Sequence, residues 1–310
     1  MINKDSKIYI AGHNGMVGSS ILRKLKVEGY NNLVFKSSKE LDLREQIQVR
    51  DFINDQKPEI IIDAAAIVGG ILANDSYPYK FLMDNMLIQN NLIDAAIKNK
   101  IQNFIFLGSS CIYPRDADQP LIEDYLLTGP LEKTNQCYAL AKISGVKLIE
   151  AARKVYGYNY VALMPTNLYG PNDNFHPLTS HVLPGMIFKF HNAKINSKNS
   201  VTLWGDGSPL REFMYVDDLV NAMLLSVEND LPFHLYNVGS GHEISIKNLA
   251  YLIQEVIGYD GEIIWDKTKP YGTPRKLMDS SRFEGIGFKA IVDLKSGIEK
   301  TYEWYLENLI

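Results

Sequence analysis

The sequence predicts an α/β protein built on a doubly wound parallel sheet, with a smaller mixed α/β lobe toward the C-terminus. Short apolar runs alternate with helical patterns through the first half of the chain, and a glycine-rich turn follows the first of these runs. After about residue 165 the alternation gives way to segments rich in Pro, Gly, Asn and His. Strands that alternate with helices are typical of βαβ units and therefore of a parallel sheet.

The elements of the first half follow from two periodicities. Short apolar runs have the length of buried strands, whereas longer segments repeat apolar residues every three or four positions, as amphipathic helices do. The predicted strands cover residues 8–11, 33–35, 59–64, 104–107 and 160–164. The predicted helices cover residues 17–28, 83–98 and 135–156.

The change in composition and pattern near residue 165 predicts two structural units. We expect a dinucleotide-binding domain over residues 1–165 and a substrate-binding lobe over residues 166–310. Late segments such as 236–239 are apolar enough to return to the main sheet.

Composition excludes several classes of protein. The chain has 310 residues, of which 46% are hydrophobic, and this is too apolar for a disordered protein. Its net charge of −4 shows no bias toward nucleic acid or an anionic membrane. The longest apolar run, 60–73, is shorter than the ~20 residues that cross a bilayer. Two cysteines and an N-terminus without a signal-peptide core predict a cytoplasmic protein.

The glycine-rich turn predicts a Rossmann-type dinucleotide site. Residues 12–18 read Gly-His-Asn-Gly-Met-Val-Gly, directly between the first predicted strand and helix. Glycines permit the tight turn and let the backbone approach a pyrophosphate, which then lies at the N-terminus of the helix. The predicted cofactor contacts in this turn are Gly12, Asn14, Gly15, Met16, Val17 and Gly18.

The end of the second predicted strand indicates which dinucleotide binds. An acidic residue there would bind the ribose 2′-hydroxyl of NAD, whereas basic or polar residues suit the 2′-phosphate of NADP. This chain has Lys36, Ser37, Ser38 and Lys39, and the first acid is Glu40. We therefore predict NADP(H), held by Lys36, Ser38 and Lys39.

A Tyr-x-x-x-Lys pair predicts oxidoreductase chemistry. Tyr138 and Lys142 share one face of the predicted helix 135–156 because they are four residues apart. A phenol can exchange a proton with a carbinol as hydride moves to or from a nicotinamide, and a nearby ammonium favours the phenolate. Ser109, just after the fourth predicted strand, offers a hydroxyl to the substrate oxygen.

Longer motifs carry a resemblance to the extended short-chain dehydrogenase/reductases that act on nucleotide sugars. The two most specific are Ser-Ser-Cys-Ile-Tyr-Pro at 109–114 and Asp-Asn-Phe-His-Pro at 173–177. The other matching segments are 11–18, 64–71, 107–108, 164–171, 211–213 and 272–276. The resemblance runs from about residue 7 to the C-terminus.

The resemblance implies a two-stage reaction on a GDP-4-keto-6-deoxy sugar. C–H bonds flanking a ketone are acidic, and inversion at C3 and C5 requires a base and an acid on opposite faces. The family's pair corresponds to Cys111 as the base and His181 as the acid. NADPH then reduces the C4 ketone with the help of Ser109, Tyr138 and Lys142, giving GDP-L-fucose or a close relative.

The resemblance also implies the remaining contacts of the site. The substrate-binding residues it suggests are Asn167, Lys189, Trp204, Arg211 and Lys276. Further cofactor contacts are Leu107, Gly108, Lys142, Pro165, Asn167, Leu168 and His181. A homodimer is expected through helices 83–98 and 135–156, with no metal ion, nucleic acid or membrane among the partners.

Other readings of the same residues stay open. The nearest is a C4 reductase with partial or no epimerase activity, acting on a GDP-4-keto-heptose or a dideoxy sugar. A second is an NAD-recycling 4-epimerase or a dehydratase, although a dehydratase has a Thr and an acidic pair where this chain has Ser110 and Cys111. A non-catalytic nucleotide-binding protein is disfavoured by the intact Ser109, Tyr138 and Lys142.

Overall fold

The computed structural model describes residues 3–177, 179–229, 231–269 and 273–310. Gly272 of the last matching segment therefore lies outside the described residues. The strands are β1 (Ile8–Ala11), β2 (Leu33–Val34), β3 (Ile60–Asp63), β4 (Asn103–Leu107), β5 (Asn159–Pro165), β6 (Asn167–Tyr169), β7 (Ser200–Trp204), β8 (Leu210–Tyr215), β9 (Leu235–Val238), β10 (Glu243–Ser245), β11 (Glu262–Asp266) and β12 (Arg275–Lys276).

The helices lie between these strands and after them. They are α1 (Met16–Val27), α2 (Gln46–Gln56), α3 (Ile71–Ser76), α4 (Pro78–Lys98), α5 (Gln136–Tyr156), α6 (Val182–Ile195), α7 (Val216–Glu228), α8 (Ile246–Ile257), α9 (Ser281–Glu284) and α10 (Leu294–Leu309). Among the described residues, none of these helices is both long and apolar enough to cross a membrane.

The predicted doubly wound parallel sheet is confirmed. Six parallel strands lie in the order β2-β1-β3-β4-β5-β9. The chain places β2 on one side of β1 and β3 on the other, so the order of strand addition reverses between β1 and β3. Ligands of such sheets bind outside the carboxyl ends of the strands at this reversal. The glycine turn after β1 and the segment after β3 both lie at this point.

Alternating side chains of the strands build the core on both faces of the sheet. Ile8 and Ile10 face α1 and α7, whereas Tyr9 and Ala11 face α2, α4 and α5. Phe106 is fully buried on the side of the sheet that faces α2, α4 and α5. Burial of a side chain of this size contributes about 1.5–3 kcal/mol to folding. The two layers hold the strand ends, and hence the loops that follow them, in fixed positions.

The C-terminal lobe has its own small sheet and core. β8 pairs with β6 and β12 in parallel and with β10 antiparallel, and β7 pairs with β11. Helices α6, α8 and α10 bury the third apolar cluster of the protein against these strands. Because β9 pairs with β5, the chain re-enters the main sheet between two parts of the lobe. A boundary at residue 165 stays a prediction.

Candidate active site

The glycine turn has the shape that a dinucleotide pyrophosphate needs. Gly12 has a φ of +79°, and a Cβ there would lie 2.7 Å from the carbonyl oxygen of Ala64. A Cβ on Gly18 would lie 2.1 Å from the carbonyl oxygen of Gly12. A Cβ on Gly15 would lie 3.5 Å from the same carbonyl oxygen, which is an ordinary contact. The first N–H groups of α1 have no partner within the helix. The turn therefore leaves room and donors for a phosphate on its outer side.

The segment after β2 holds the residues predicted to bind a 2′-phosphate. The ammonium of Lys36 lies 3.0 Å from a carboxylate oxygen of Glu40, which also accepts a hydrogen bond from the backbone N–H of Ser37. The hydrogen bond from the Ser37 N–H and the other hydrogen bonds to this carboxylate lower the pKa of Glu40 to about 2. The bond from the Ser37 N–H has the largest effect. Ser38 and Lys39 are exposed. A phosphate would thus meet Ser38 and Lys39 directly, and Lys36 after exchange of its partner.

The structure brings Ser109, Tyr138 and Lys142 together. The Ser109 hydroxyl lies near enough to the Tyr138 phenol to oppose the rise that burial causes in the phenol's pKa. The Lys142 ammonium donates to the carbonyl oxygen of Leu107 over 2.8 Å and lies 5.9 Å from the centre of the Tyr138 ring. Burial raises the pKa of Tyr138 and lowers that of Lys142. This is the acid–base arrangement that reduction of a ketone requires.

Close packing of α5 against β4 fixes the distance between these groups. A Cβ on Gly145 would lie 2.4 Å from the ring of Phe106, so only glycine allows the helix to approach the strand this closely. Gly108, directly after β4, is similarly enclosed by the side chain of Met164. The sequence motifs give no hint of the role of Gly145, which becomes visible only in the packed structure.

Cys111 lies beside the same hydroxyls. It is 7% exposed, and its backbone N–H is 3.5 Å from the Oγ atom of Ser109. Burial raises the pKa of its thiol, whereas the ammonium of Lys276, the Ser109 hydroxyl and Lys142 oppose that rise. The two cations and the hydroxyl reduce the rise, but burial outweighs them, and the pKa of the thiol stays above its ordinary value.

His181 belongs to the C-terminal lobe and lies near the ammonium of Lys276. It is the cap residue that precedes α6, and its side chain is exposed to solvent. The surrounding protein and the nearby Lys276 both lower its pKa, so the imidazole is neutral near pH 7. Because Lys276 acts on both Cys111 and His181, the predicted base and acid belong to one site.

Two cations of the lobe stand side by side. Lys276 of β12 is the register partner of Arg211 of β8, and burial lowers the pKa of each. Arg211 makes its described hydrogen bond to the carbonyl oxygen of Leu210 at 2.7 Å. Neither cation forms an ion pair among the described residues, and two partly buried cations of this kind suit a diphosphate.

Glu212 is a residue of this site that sequence reasoning missed. Its side chain is fully buried, and its two carboxylate oxygens accept hydrogen bonds from the N–H groups of Gly241 at 2.8 Å and Met278 at 3.0 Å. A Cβ on Gly239 would lie 2.3 Å from the same carboxylate. Glu212 thereby joins the strands of Arg211 and Lys276. The sequence signal for Glu212 is its place beside Arg211 within the 211–213 motif.

Asn167, Pro165 and Leu168 lie where β5 passes into β6. The Asn167 amide donates to the carbonyl oxygen of Glu212 over 2.7 Å, so this part of its side chain holds β6 against β8. Pro165 is buried and Leu168 is partly buried. These positions border the carboxyl end of β5, next to the sheet edge where the cofactor site lies.

Lys189 and Trp204 occupy another part of the lobe. The Lys189 ammonium donates to the carbonyl oxygen of Thr202 on β7 over 3.2 Å, and Trp204 ends the same strand with 44% of its surface exposed. Within the described part of the chain, no contact joins either of them to Cys111 or Tyr138. Lys189 is thus held against β7, and Trp204 lies at the end of that strand.

A glycine turn, a Ser–Tyr–Lys set and a facing cation pair at the carboxyl edge of a parallel sheet are typical of Rossmann-type oxidoreductases that act on nucleotide-linked substrates. The family model described as "NAD dependent epimerase/dehydratase family" matches residues 8–239, and the chain belongs to this family.

Individual relatives match the chain over its whole length. It is 50% identical to GDP-L-fucose synthase 1 of Arabidopsis thaliana, across 100% of this chain and 96% of that protein. It is 45% identical to the GDP-L-fucose synthase of Escherichia coli strain K12, across 97% of each. The structure of a GDP-mannoheptose C4 reductase from Campylobacter jejuni with NADP bound superposes with a TM-score of 0.92, at 36% identity, covering 99% of this chain and 100% of that one.

Proposed function

We propose that this protein is an NADPH-dependent enzyme that epimerises GDP-4-keto-6-deoxymannose at C3 and C5 and then reduces its C4 ketone to give GDP-L-fucose. The observation that carries the proposal is the Cys111 thiol beside the Ser109 and Tyr138 hydroxyls, with the ammonium of Lys276 near both this thiol and His181. A simple ketone reductase needs the hydroxyls but has no use for a buried thiol at the same carbonyl. The GDP-L-fucose synthases among the relatives support the same substrate.

Epimerisation uses the thiol and the imidazole in turn. The Cys111 thiolate removes the proton from C3, and the electron pair of that C–H bond becomes the enolate of the C4 carbonyl. Hydrogen bonds from Ser109 and Tyr138 stabilise the negative charge on O4. His181, in its imidazolium form, delivers a proton to the opposite face of C3, and exchange with solvent restores both groups. The same cycle at C5 completes the inversion of the sugar.

Reduction follows at the carbonyl that both stages share. NADPH, when bound, supplies hydride to C4. Tyr138 gives its phenolic proton to O4, and Ser109 holds that oxygen by a hydrogen bond. The Lys142 ammonium, 5.9 Å from the centre of the Tyr138 ring, stabilises the phenolate left on Tyr138, whose pKa is raised by burial. Reprotonation of Tyr138 from solvent completes the turnover.

Binding residues surround the reacting groups. We assign the cofactor pyrophosphate to Gly12, Gly15 and the N-terminus of α1, because the backbone is open around Gly15. Lys36, Ser38 and Lys39 hold the 2′-phosphate, and the Leu107–Gly108 turn with Pro165 and Leu168 borders the nicotinamide. Arg211 and Lys276 bind the substrate diphosphate, and Lys189 with Trp204 accommodates the nucleoside.

A direct assay tests this function. Purified protein supplied with NADPH and GDP-4-keto-6-deoxymannose should consume one NADPH for each GDP-L-fucose formed, measured by NADPH absorbance and by chromatography of the product. NADH should support a lower kcat/KM because it lacks the 2′-phosphate. Absence of NADPH oxidation with this sugar would overturn the proposal.

A second candidate is reduction of a GDP-4-keto-heptose without complete epimerisation. The observation that favours it is the similarity to the GDP-mannoheptose C4 reductase, which extends over the whole chain. The two candidates are separated by kcat/KM measured for each sugar under the same conditions. A kcat/KM for the heptose that exceeds the value for the 6-deoxymannose derivative would replace the first proposal by the second.

We further propose a cytoplasmic homodimer formed through α4 and α5. These helices pack on each other and expose apolar side chains on their outer face, among them Met83, Leu87, Leu140 and Leu148. A patch of this kind on paired helices suits a second copy of the chain. Light scattering after size-exclusion chromatography should give twice the chain mass, and Met83→Lys combined with Leu140→Lys should halve it. Reducing conditions of the cytoplasm would keep the Cys111 thiol available.

A further inference from the structure

Asp63 is a buried carboxyl that the proposed mechanism does not use. It ends β3 and is 1% exposed. Its Oδ1 atom accepts a hydrogen bond from the N–H of Ala65 over 3.1 Å. Its Oδ2 atom is equally buried and has no hydrogen-bond partner among the described residues. A carboxylate held in this way costs free energy unless a nearby cation compensates it.

The sheet register places that carboxyl beneath Lys142. Asp63 is the register partner of Phe106 on β4, and it shares the face of β3 that carries Ile61 toward α4 and α5. The ammonium of Lys142 lies 4.7 Å from the centre of the Phe106 ring and donates to the next residue, Leu107. Lys142 itself is 3% exposed. Two opposite charges thus lie over neighbouring strands with water excluded.

The electrostatics of the two groups are reciprocal. Burial raises the pKa of Asp63 to about 6, and Lys142 opposes that rise. Burial lowers the pKa of Lys142, and Asp63 opposes that fall most, followed by Cys111. Asp63 also acts on Tyr9 of β1, whose raised pKa keeps it neutral. Lys142 is therefore the cation that compensates the negative charge of Asp63.

We propose that Asp63 is a positioning residue that keeps the Lys142 ammonium protonated and in place in a pocket that would otherwise favour the neutral amine. The inference rests on the proposed function, in which the charge of Lys142 stabilises the Tyr138 phenolate. Neutralising Asp63 removes the counter-charge, so Lys142 loses its proton at lower pH and Tyr138 becomes a poorer acid for O4. Asp63 touches neither substrate nor cofactor in this scheme.

The test is the titration of Lys142 by NMR in protein with ¹³C-labelled lysine side chains. The Lys142 signal is identified by its loss in Lys142→Arg. Asp63→Asn retains the size of the side chain and its acceptor for Ala65. This variant should lower the pKa of Lys142 by about one unit or more, which is the effect of losing a close opposite charge. It should also lower kcat about tenfold at neutral pH with KM for the sugar unchanged.

Glu59→Gln is the matched control. Glu59 directly precedes the same strand, is exposed, and accepts hydrogen bonds from Ser6 and the N–H of Lys7 at the opposite edge of the sheet. The control removes the same charge and should leave the Lys142 titration and kcat as in the wild type.

Each outcome decides a separate question. An unchanged Lys142 titration in folded Asp63→Asn would overturn the inference. If Asp63→Asn does not fold, the wild-type Lys142 signal decides instead, since it should show a second inflection near pH 6 where Asp63 titrates; a curve without it contradicts the inference. A shifted Lys142 titration in a protein that does not reduce the sugar would refute the proposed function and leave the pairing intact.

Discussion

The ammonium of Lys276 opposes the rise that burial causes in the pKa of the Cys111 thiol, although the two residues belong to different parts of the fold. Cys111 follows β4 of the main sheet, and Lys276 lies on β12 of the C-terminal lobe. The relationship is reciprocal, since Cys111 raises the pKa of Lys276. The proposed base of the epimerisation thus depends on the lobe in which we also propose the diphosphate site.

Removing the thiol should separate the two stages of the reaction. In Cys111→Ser, exchange of the C3 and C5 hydrogens with solvent deuterium should fall about 10²-fold or more, because a hydroxyl is a far weaker base than a thiolate. Direct reduction at C4 should persist, because Ser109, Tyr138 and Lys142 are untouched. Cys137→Ser is the control, and it should exchange as the wild type does. Exchange at the wild-type rate in Cys111→Ser would refute its role as the base.

Removing the neighbouring ammonium should shift the titration of the thiol. Lys276 opposes the rise in the Cys111 pKa, so Lys276→Gln should move that pKa upward. The rate of reaction of Cys111 with a small thiol reagent, measured against pH in a Cys137→Ser background, should then reach its half-maximum at higher pH. A profile that is unchanged or moves to lower pH would show that Lys276 does not support the thiolate.

Removing the phenol should have the opposite effect on the two stages. Tyr138→Phe retains the packing of its ring against Phe81 but has no proton for O4. Reduction should fall by about 10²–10⁴-fold, the usual contribution of a general acid. Deuterium exchange at C3 and C5 should lose much less, because Ser109 still donates to O4. NADPH oxidation and exchange are measured on the same sample, and equal losses of both would contradict the assignment.

Replacing Glu212 should weaken substrate binding in particular. Glu212→Gln leaves one amide hydrogen facing the N–H of Gly241 or Met278 and should lower stability by about 1–3 kcal/mol. Because Glu212 joins the strands of Arg211 and Lys276, KM for the GDP-sugar should rise several-fold while the Kd for NADPH stays unchanged. Thermal denaturation and fluorescence titration with NADPH give the two values. An equal loss of affinity for both ligands would indicate general disorder of the protein instead.

The sequence predicts the main sheet well because its strands and helices have strong local patterns. β1 has its predicted bounds, β4 and β5 agree within two residues, and α5 begins one residue later than expected. α4 begins five residues before its predicted start because Pro78 opens the helix at its first position, where its missing N–H costs nothing. α2 was not predicted, since only Val49 and Ile53 of its eleven residues are buried.

The site is predictable only where a motif lies in one short segment. Tyr138 with Lys142, the glycine turn and Cys111 with Ser109 are of this kind, and the structure brings the reacting groups together. Glu212 and Asp63 gain their meaning from partners that folding supplies, namely the backbone of Gly241 and Met278 for one and Lys142 for the other. No local pattern reveals such partners.

The central claim is that one pocket first epimerises and then reduces the same sugar, with Cys111 as the base. The most direct test is NMR of the product that the wild-type enzyme forms from GDP-4-keto-6-deoxymannose and NADPH in deuterium oxide. The account predicts GDP-L-fucose with deuterium at C3 and C5 and with ordinary hydrogen, delivered by NADPH, at C4. A reduced product that carries ordinary hydrogen at C3 and C5 and keeps the starting configuration there would contradict it.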